Sequence, residues 1–123
     1  MRLADSNILI YAVDPAHGFL RKLLLGSDIR ASGISIPEVF GFQGLSAADE
    51  HKFKSMFELL TVLPVDDKVL YRAAELRRIK RTKLGDAIIA ATALEHDCEL
   101  VTRNEDDFRG IAGLRVFNPF KQT

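Results

Sequence analysis

The chain has 123 residues, of which 47% are hydrophobic and 28% charged; these values are ordinary for one globular domain and argue against disorder. Seventeen basic and seventeen acidic residues give a formal net charge of zero. That balance counts against nucleic-acid binding driven by overall positive charge, but it leaves a local basic patch open. No apolar run approaches the ~20 residues of a membrane span, and Asp5 comes too early for a signal peptide.

The first predicted element is a short strand at residues 2–4, followed directly by Asp5 and the helix-start signal of Ser6 and Asn7. An apolar helix then continues to residue 12. Acids that follow the first strand of an open α/β sheet lie where such sheets bind ligands. Asp5 or Ser6 would equally serve as a plain helix cap, so the sequence leaves both roles open.

The next segment predicts a helix over residues 16–25 and a strand over residues 29–33. Another helix follows, with Ser35 as its expected N-cap and Pro37 in its first turn. Glu38 lies in the same turn. A glutamate there interacts favourably with the helix dipole, so its position needs no ligand, although a ligand role stays open.

Two longer helices flank the third predicted strand. Residues 46–60 begin with a capping-box pattern, residues 61–65 predict the strand, and residues 66–80 begin with two acids that cap the second helix. Five basic residues then lie within 77–83. Such a run is most often a solvated face, but here it also becomes a candidate for attracting a polyanion.

The most informative stretch is a helix predicted from Lys83 to about Asp97, which is apolar on nearly every side and therefore expected to be buried. Asp86 is the only acid between residues 83 and 94, and it lies in the first helical turn. We hypothesise that the rest of the chain brings other carboxylates to Asp86, so that together they hold a divalent metal ion.

The closing segment predicts a strand at 99–102, a short helix capped by Asn104 with Asp107 three positions on, and a last strand at 114–117. Strands separated by helices indicate an α/β sandwich with a mainly parallel sheet. In such folds ligands collect at the carboxyl ends of the strands. Acids occur at four junctions that can face one such edge: Asp5, Glu38, Asp86 and the segment from Asn104 to Asp107, which holds three acids.

Four ordered blocks of the chain resemble the PIN domain family. They are Leu3–Ala12, Ile36–Val39, Leu84–Ala93 and finally Val101–Asn104 with Asp107 and Phe108. Their spacing and the chain length resemble the VapC-type toxins of type II toxin–antitoxin systems, from about residue 2 to about residue 119. Ser6 departs from the usual threonine of the first block but keeps its hydroxyl.

The resemblance implies a single PIN domain over residues 1–123, with a three-layer α/β/α fold and a central, mainly parallel sheet of four or five strands. It implies an endoribonuclease that hydrolyses RNA phosphodiester bonds with Mg²⁺ or Mn²⁺. The expected partners are RNA, an inhibiting cognate antitoxin in a hetero-oligomer, and a second copy in a homodimer. The single cysteine, Cys98, fits a cytoplasmic chain and is expected to be buried.

The resemblance also implies roles for individual residues. Asp5, Glu38 and Asp86 take three of the acidic positions, which are both catalytic and metal-binding. Asp107 is our choice for the fourth, with Glu105 and Asp106 as rivals. The expected substrate contacts are Ser6, Arg81, Lys83, Arg103 and Asn104.

Carboxylates suit this chemistry because hard oxygen ligands bind Mg²⁺ and Mn²⁺. The three histidines, His17, His51 and His96, lie far from the acidic blocks or on outward helix faces, which argues against zinc. We expect Asp5 and Asp86 to contact the metal directly. The other two acids would hold metal-bound waters or a second ion.

Three other functions stay open at this point: a phospho-acceptor receiver domain, a non-catalytic binding module of the same fold, and a PIN nuclease of RNA processing without a toxin role. All four acidic positions are filled, which argues against a catalytically dead protein. The helices at 46–60 and 66–80 carry more Phe and Leu than one core requires, so we expect dimerisation there.

Overall fold

Five short strands form one central sheet in which every neighbouring pair is parallel. The computed structural model describes residues 1–26 and 28–121. Along the chain the strands are β1 (Arg2–Ala4), β2 (Ile29–Ser32), β3 (Thr61–Leu63), β4 (Glu99–Val101) and β5 (Val116–Phe117). Their order across the sheet is β3-β2-β1-β4-β5. The chain therefore starts at the centre, builds to one side and then returns to build the other.

Helices connect the strands. They are α1 (Ser6–Ala12), α2 (Gly18–Gly26), α3 (Ser35–Phe40), α4 (Ala47–Leu59), α5 (Asp67–Ile79), α6 (Leu84–Glu95) and α7 (Glu105–Phe108). The predicted starts of α4 and α5 are confirmed, because Ser46 and Asp66 accept hydrogen bonds from the backbone N–H groups of Asp49 and Val69. Within the described ranges, no helix is both long and apolar enough to cross a membrane.

The sheet separates two hydrophobic cores. Leu3 of β1 points into a core with α5 and α6, whereas the next residue, Ala4, points into a core with α1 to α4. This alternation follows from the two-residue period of a strand. The predicted three-layer α/β/α fold is therefore confirmed.

Cys98 is buried in the first core, as expected, and its burial raises the pKa of the thiol.

Helix α6 is the buried helix that the sequence predicts. The run Ala87–Ala93 is buried throughout, with no residue more than 6% exposed. Four of its seven residues are alanine, so the helix can pack closely against its neighbours. The one polar member, Thr92, donates to the carbonyl of Ile88 at 2.7 Å and lies 3.0 Å from the hydroxyl of Ser32.

One predicted N-cap is wrong, and a second has the predicted position without the expected side-chain hydrogen bond. Ser35 is the first residue of α3 and Ile34 is the N-cap, because the Ser35 hydroxyl is buried against a distant side chain. Asn104 is the N-cap of α7, as predicted, but its side chain makes no capping hydrogen bond. Its backbone N–H instead donates to the hydroxyl of Thr102 at 3.1 Å.

Three predicted boundaries also differ from the structure. The helix expected from residue 16 starts at Gly18, after a 3-10 turn at Pro15–His17 that Asp14 caps. Strand β3 ends at Leu63, because Pro64 has no N–H for the ladder. Strand β5 is only two residues long, Val116–Phe117.

The packing of α6 predicts that added volume there is costly. Ala90→Leu forces a larger side chain into a fully buried position and should lower the free energy of unfolding by about 1–3 kcal/mol. Ala74→Leu makes the same change on the exposed face of α5 and should cost less than about 0.5 kcal/mol. Urea unfolding of both variants measures the difference, and equal losses would contradict the role given to the alanines.

Candidate active site

The carboxyl ends of three strands meet at one edge of the sheet. Ala4 of β1 pairs with Ala31 of β2 and with Val101 of β4, so the residues that follow leave the sheet side by side. The chain turns to opposite sides of β1 here, which is where open α/β sheets form a binding crevice. A cleft of about 260 Å³, which we call the acid cleft, lies at this edge.

The acid cleft collects most of the side chains that the sequence singles out. Its lining comprises Asp5, Ser6, Asn7, Ile10, Glu38, Lys83, Asp86, Ile89, Asn104 and Asp107. All four predicted acids are therefore brought together with three of the five predicted substrate contacts. The other two, Arg81 and Arg103, lie outside this lining on the exposed surface.

Asp5 is the most buried of the acids, at 6% exposed. One carboxylate oxygen accepts the backbone N–H of Ile8 at 2.9 Å, which caps α1, and the other accepts the hydroxyl of Thr102. Burial raises the pKa of Asp5, the two hydrogen bonds oppose that rise, and the charges of Asp86 and Glu38 add to it. Asp5 is thus both a helix cap and a cleft residue.

A chain of two hydroxyls holds Glu38 toward the cleft. Ser6 donates its only hydroxyl hydrogen to the Glu38 carboxylate at 2.6 Å. The 2.8 Å contact between Ser6 and Ser35 must then have Ser35 as its donor. The fully buried Ser35 therefore orients Ser6, and Ser6 orients an otherwise exposed carboxylate.

Asp86 lies half-buried in the first turn of α6. Burial raises the pKa of its carboxyl, and the charges of Asp107 and Glu38 raise it further. The ammonium groups of Lys83 and Lys80 lower it, but the net direction is upward. Like charges gathered in one cleft therefore repel one another.

The structure distinguishes among the three acids of α7. Glu105 pairs with Lys121 at 2.7 Å. This hydrogen bond, and to a smaller extent one from Asn118, lowers the pKa of Glu105. Asp106 pairs with Arg109 at 2.8 Å. Asp107 is the member of the trio that lines the acid cleft.

Lys80 holds α7 against the end of α5. Its ammonium group donates to the carbonyl of Asp106 at 3.3 Å, to that of Asp107 at 3.1 Å and to that of Arg109. Cations stabilise helix carboxyl ends in this way. One member of the predicted basic run therefore holds the backbone that carries the fourth acid, a role that the charge pattern did not suggest.

Sequence reasoning also missed Thr102 and Ser35, the hydroxyl residues that fix Asp5 and Ser6. Thr102 directly follows β4, just as Asp5 directly follows β1, so its place at a strand end was the available signal. Ser35 was assigned to a local cap instead. Neither a position at a strand end nor a helix-cap pattern identifies a hydrogen-bond partner far away in the sequence.

The donor set of the acid cleft fits a hard divalent cation. All four acids supply carboxylate oxygens, the ligands that Mg²⁺ and Mn²⁺ prefer, and burial together with the neighbouring carboxylate charges raises the pKa values of Asp5 and Asp86. In residues 1–26 and 28–121, no group of three His, Cys, Asp or Glu side chains has already converged to coordination distance.

The family model described as PIN domain matches residues 2–114. The chain belongs to the PIN domain family. The sequence resemblance is therefore confirmed, and the receiver-domain alternative loses its support. A search of curated protein sequences finds no significant match.

Solved structures similar to this PIN domain include chains of toxin–antitoxin complexes. A chain of a toxin–antitoxin complex from Klebsiella pneumoniae is 30% identical with a TM-score of 0.81, covering 99% of this chain and 100% of its own. FitAcB from Neisseria gonorrhoeae is 27% identical with a TM-score of 0.78, with coverages of 99% and 100%. DNA-bound VapBC from Salmonella typhimurium is 25% identical with a TM-score of 0.77, with coverages of 95% and 98%.

The raised carboxyl pKa values predict how the stability of this PIN domain depends on pH. A pKa that is higher in the folded state means that the folded state binds more protons. Protonation of these carboxyls therefore stabilises the folded state fully below the ordinary carboxyl pKa. This contribution to the free energy of unfolding is lost as the pH rises through the raised pKa values. In metal-free protein, Asp86→Asn should thus raise the melting temperature by a few degrees at pH 7.

The rise in melting temperature caused by Asp86→Asn should shrink as the pH falls toward about 4, where the parent carboxyl is protonated. The control is Asp67→Asn, which removes an acid from the first turn of α5 and should not raise the melting temperature. Circular dichroism in the presence of a chelator measures both variants. A metal-free Asp86→Asn protein that melts below the parent at pH 7 would contradict the raised pKa that burial and the neighbouring carboxylates give Asp86.

Proposed function

We propose that this PIN domain is a metal-dependent endoribonuclease that hydrolyses RNA phosphodiester bonds, and that residues 1–123 act as one domain. The observation that carries the proposal is the gathering of Asp5, Glu38, Asp86 and Asp107 in one cleft at the sheet edge. Family membership supports the nuclease class. A phosphodiester is an anion, so cleaving it in an acidic cleft requires a bound cation.

In this proposal Asp5 and Asp86 would hold a Mg²⁺ or Mn²⁺ ion, and Glu38 and Asp107 would hold its waters or a second ion. The bound ion would supply charge neutralisation at the scissile phosphate and a more acidic water. One of the carboxylates orients the attacking water and accepts its proton. Ser6 keeps Glu38 aimed into the cleft during this step.

Basic and polar residues around the cleft would position the RNA backbone. Lys83 and Asn104 line the cleft itself, and the exposed Arg81 lies two residues before Lys83. Contacts of this kind fix the register of a strand without reading its sequence. We assign phosphate contacts to Lys83 and Arg81, and sugar or phosphate contacts to Asn104. Ser6, whose hydroxyl hydrogen is donated to Glu38, can only accept a hydrogen bond from a sugar hydroxyl.

We further propose that the protein is the toxin of a VapBC-type pair and is inhibited by a cognate antitoxin. The similarity to chains of toxin–antitoxin complexes supports this role. A PIN nuclease of RNA processing without a toxin role is the alternative. An adjacent upstream gene encoding a small DNA-binding protein would favour the toxin, and its absence would favour the alternative.

Helix α4 carries the surface that we assign to protein contacts, including a homodimer. An apolar groove of about 270 Å³ lies between α2 and α4. A second groove, of about 430 Å³, lies between α3 and α4. Leu25 and Leu59 are 65% and 72% exposed at this surface. Exposed apolar patches of this kind are typical of protein interfaces.

The proposed activity is tested with purified protein, single-stranded RNA and Mg²⁺ or Mn²⁺. We expect cleavage that a chelator abolishes and that Asp86→Asn reduces by about 10²-fold or more. Asp106→Asn removes a nearby carboxylate that is ion-paired outside the acid cleft and should leave the rate close to the parent. A parent-level rate in Asp86→Asn would contradict the site.

Gly85 provides a second test of the same site. A Cβ at this position would collide with the Glu38 carboxylate, so Gly85→Ala must displace that carboxylate from its present position in the cleft. We expect kcat/KM to fall by about 10²-fold, because small displacements of reacting groups are costly. The melting temperature should not fall, since alanine favours helices over glycine by about 1 kcal/mol.

Gly18→Ala is the matched control, since a Cβ there meets no other atom within 4 Å. It also lies in a helix, at the start of α2. Its cleavage rate should equal that of the parent. Equal rates in the Gly85→Ala protein and the parent would instead remove Glu38 from the proposed mechanism.

A further inference from the structure

An arginine lies over a group of aromatic rings beside the acid cleft. The guanidinium carbon of Arg103 is 4.2 Å from the ring centroid of Phe120 and 5.5 Å from that of Tyr11. The rings of His17 and Phe19 pack edge-to-face against Phe120, with centroids 5.3 and 5.2 Å away. We call these four rings the aromatic cluster. Phe120 and Tyr11 contact the guanidinium group, and His17 and Phe19 pack behind the Phe120 ring.

The backbone on both sides of this contact is tied together. Asn118 donates to the carbonyl of Arg103 at 3.3 Å and accepts from the backbone N–H of Phe120 at 2.9 Å. It also donates to Glu105 at 3.2 Å, and Lys121 pairs with Glu105 at 2.7 Å. The segment after β5 is therefore fastened to the loop after β4. Arg103 and Phe120 are held as a unit.

Arg103 keeps its charge available. Its side chain is exposed, and none of the ion pairs found among the described residues includes it. A guanidinium stacked on an aromatic ring on one side can stack a second planar group on the other. In RNA complexes that second group is an unpaired base.

The position of Arg103 connects it to the acid cleft. Arg103 directly precedes Asn104, and Tyr11 directly follows Ile10; Asn104 and Ile10 both line the acid cleft. A second cleft of about 310 Å³ contains Arg103 and shares Asn104 and Asp107 with the acid cleft. A strand that leaves the acid cleft past Asn104 therefore reaches Arg103 within the length of a nucleotide or two.

We propose that Arg103, supported by the aromatic cluster, is a stacking platform for the base of a nucleotide that flanks the scissile phosphate. The proposal rests on the ribonuclease function proposed above and specifies its substrate as a single strand with an unstacked base. Every base has a π face, so the platform binds without reading sequence. A double helix hides its base faces and does not fit.

The test separates stacking from simple charge attraction. Arg103→Lys keeps the positive charge but loses the planar group, so it should weaken binding of a single-stranded RNA oligonucleotide by about 5- to 150-fold. Arg109→Lys makes the same change at an exposed arginine outside both clefts and should have no effect. Binding is measured at constant salt, with melting temperatures to confirm folding.

An oligonucleotide that lacks the base next to the cleavage site gives a second readout. The parent protein should bind it more weakly than the intact strand by a similar factor, whereas Arg103→Lys should bind the two strands equally. If Arg103→Lys binds intact RNA as tightly as the parent, or if base removal has the same effect on both proteins, the platform is refuted. If the platform is refuted but the parent still cleaves RNA, the ribonuclease function stands without a stacking platform. If the parent neither binds nor cleaves any RNA, both proposals fail.

Discussion

The arrangement of this PIN domain depends on how the carboxylate of Asp5 is fixed at the end of the first strand. Two donors from different parts of the chain hold it: the Ile8 N–H at the start of α1 and the hydroxyl of Thr102 after β4. These bonds offset much of the cost of burying a charge. They also join β1, α1 and β4 at the point where the other acids arrive.

Placing several acids at this edge of the sheet lowers the free energy of unfolding. The fold limits that loss by the surroundings that it gives Asp86. Asp86 lies at the amino end of α6, where the helix dipole favours negative charge, and Lys83 lies in the same cleft. Burial and neighbouring carboxylates still raise the pKa values of Asp5 and Asp86. Natural proteins tolerate such local costs where a site requires them, and here the buried α6 and the two cores supply the compensating stability.

Most of the fold followed from local patterns, and most of the site's fine structure did not. Hydrophobic periodicity and caps such as Ser46 and Asp66 identify helices because their causes lie within a few residues. The partner of Asp5 is 97 residues away, and that of Ser6 is 29 residues away. A single sequence carries no signal for such pairs. Ser35 was therefore mistaken for a cap.

The role of Lys80 also depends on contacts that are distant in the sequence. In sequence it belongs to a basic run typical of a solvated surface, whereas in the fold it binds backbone carbonyls 26 to 29 residues later. The members of the run therefore have different roles. Lys80 supports α7 and Lys83 lines the cleft, whereas the other three members, Arg77, Arg78 and Arg81, are exposed.

That separation of roles also explains how a chain of zero net charge can suit a polyanionic substrate. Carboxylates and cations here are arranged locally: acids line the cleft, Lys83 lies among them, and Arg103 lies beside them on aromatic rings. Attraction between such a surface and RNA acts over roughly one Debye length, about 8–10 Å at physiological salt. Overall charge averages over distances much larger than that. The positions of a few basic side chains near the acid cleft therefore decide whether RNA can approach it.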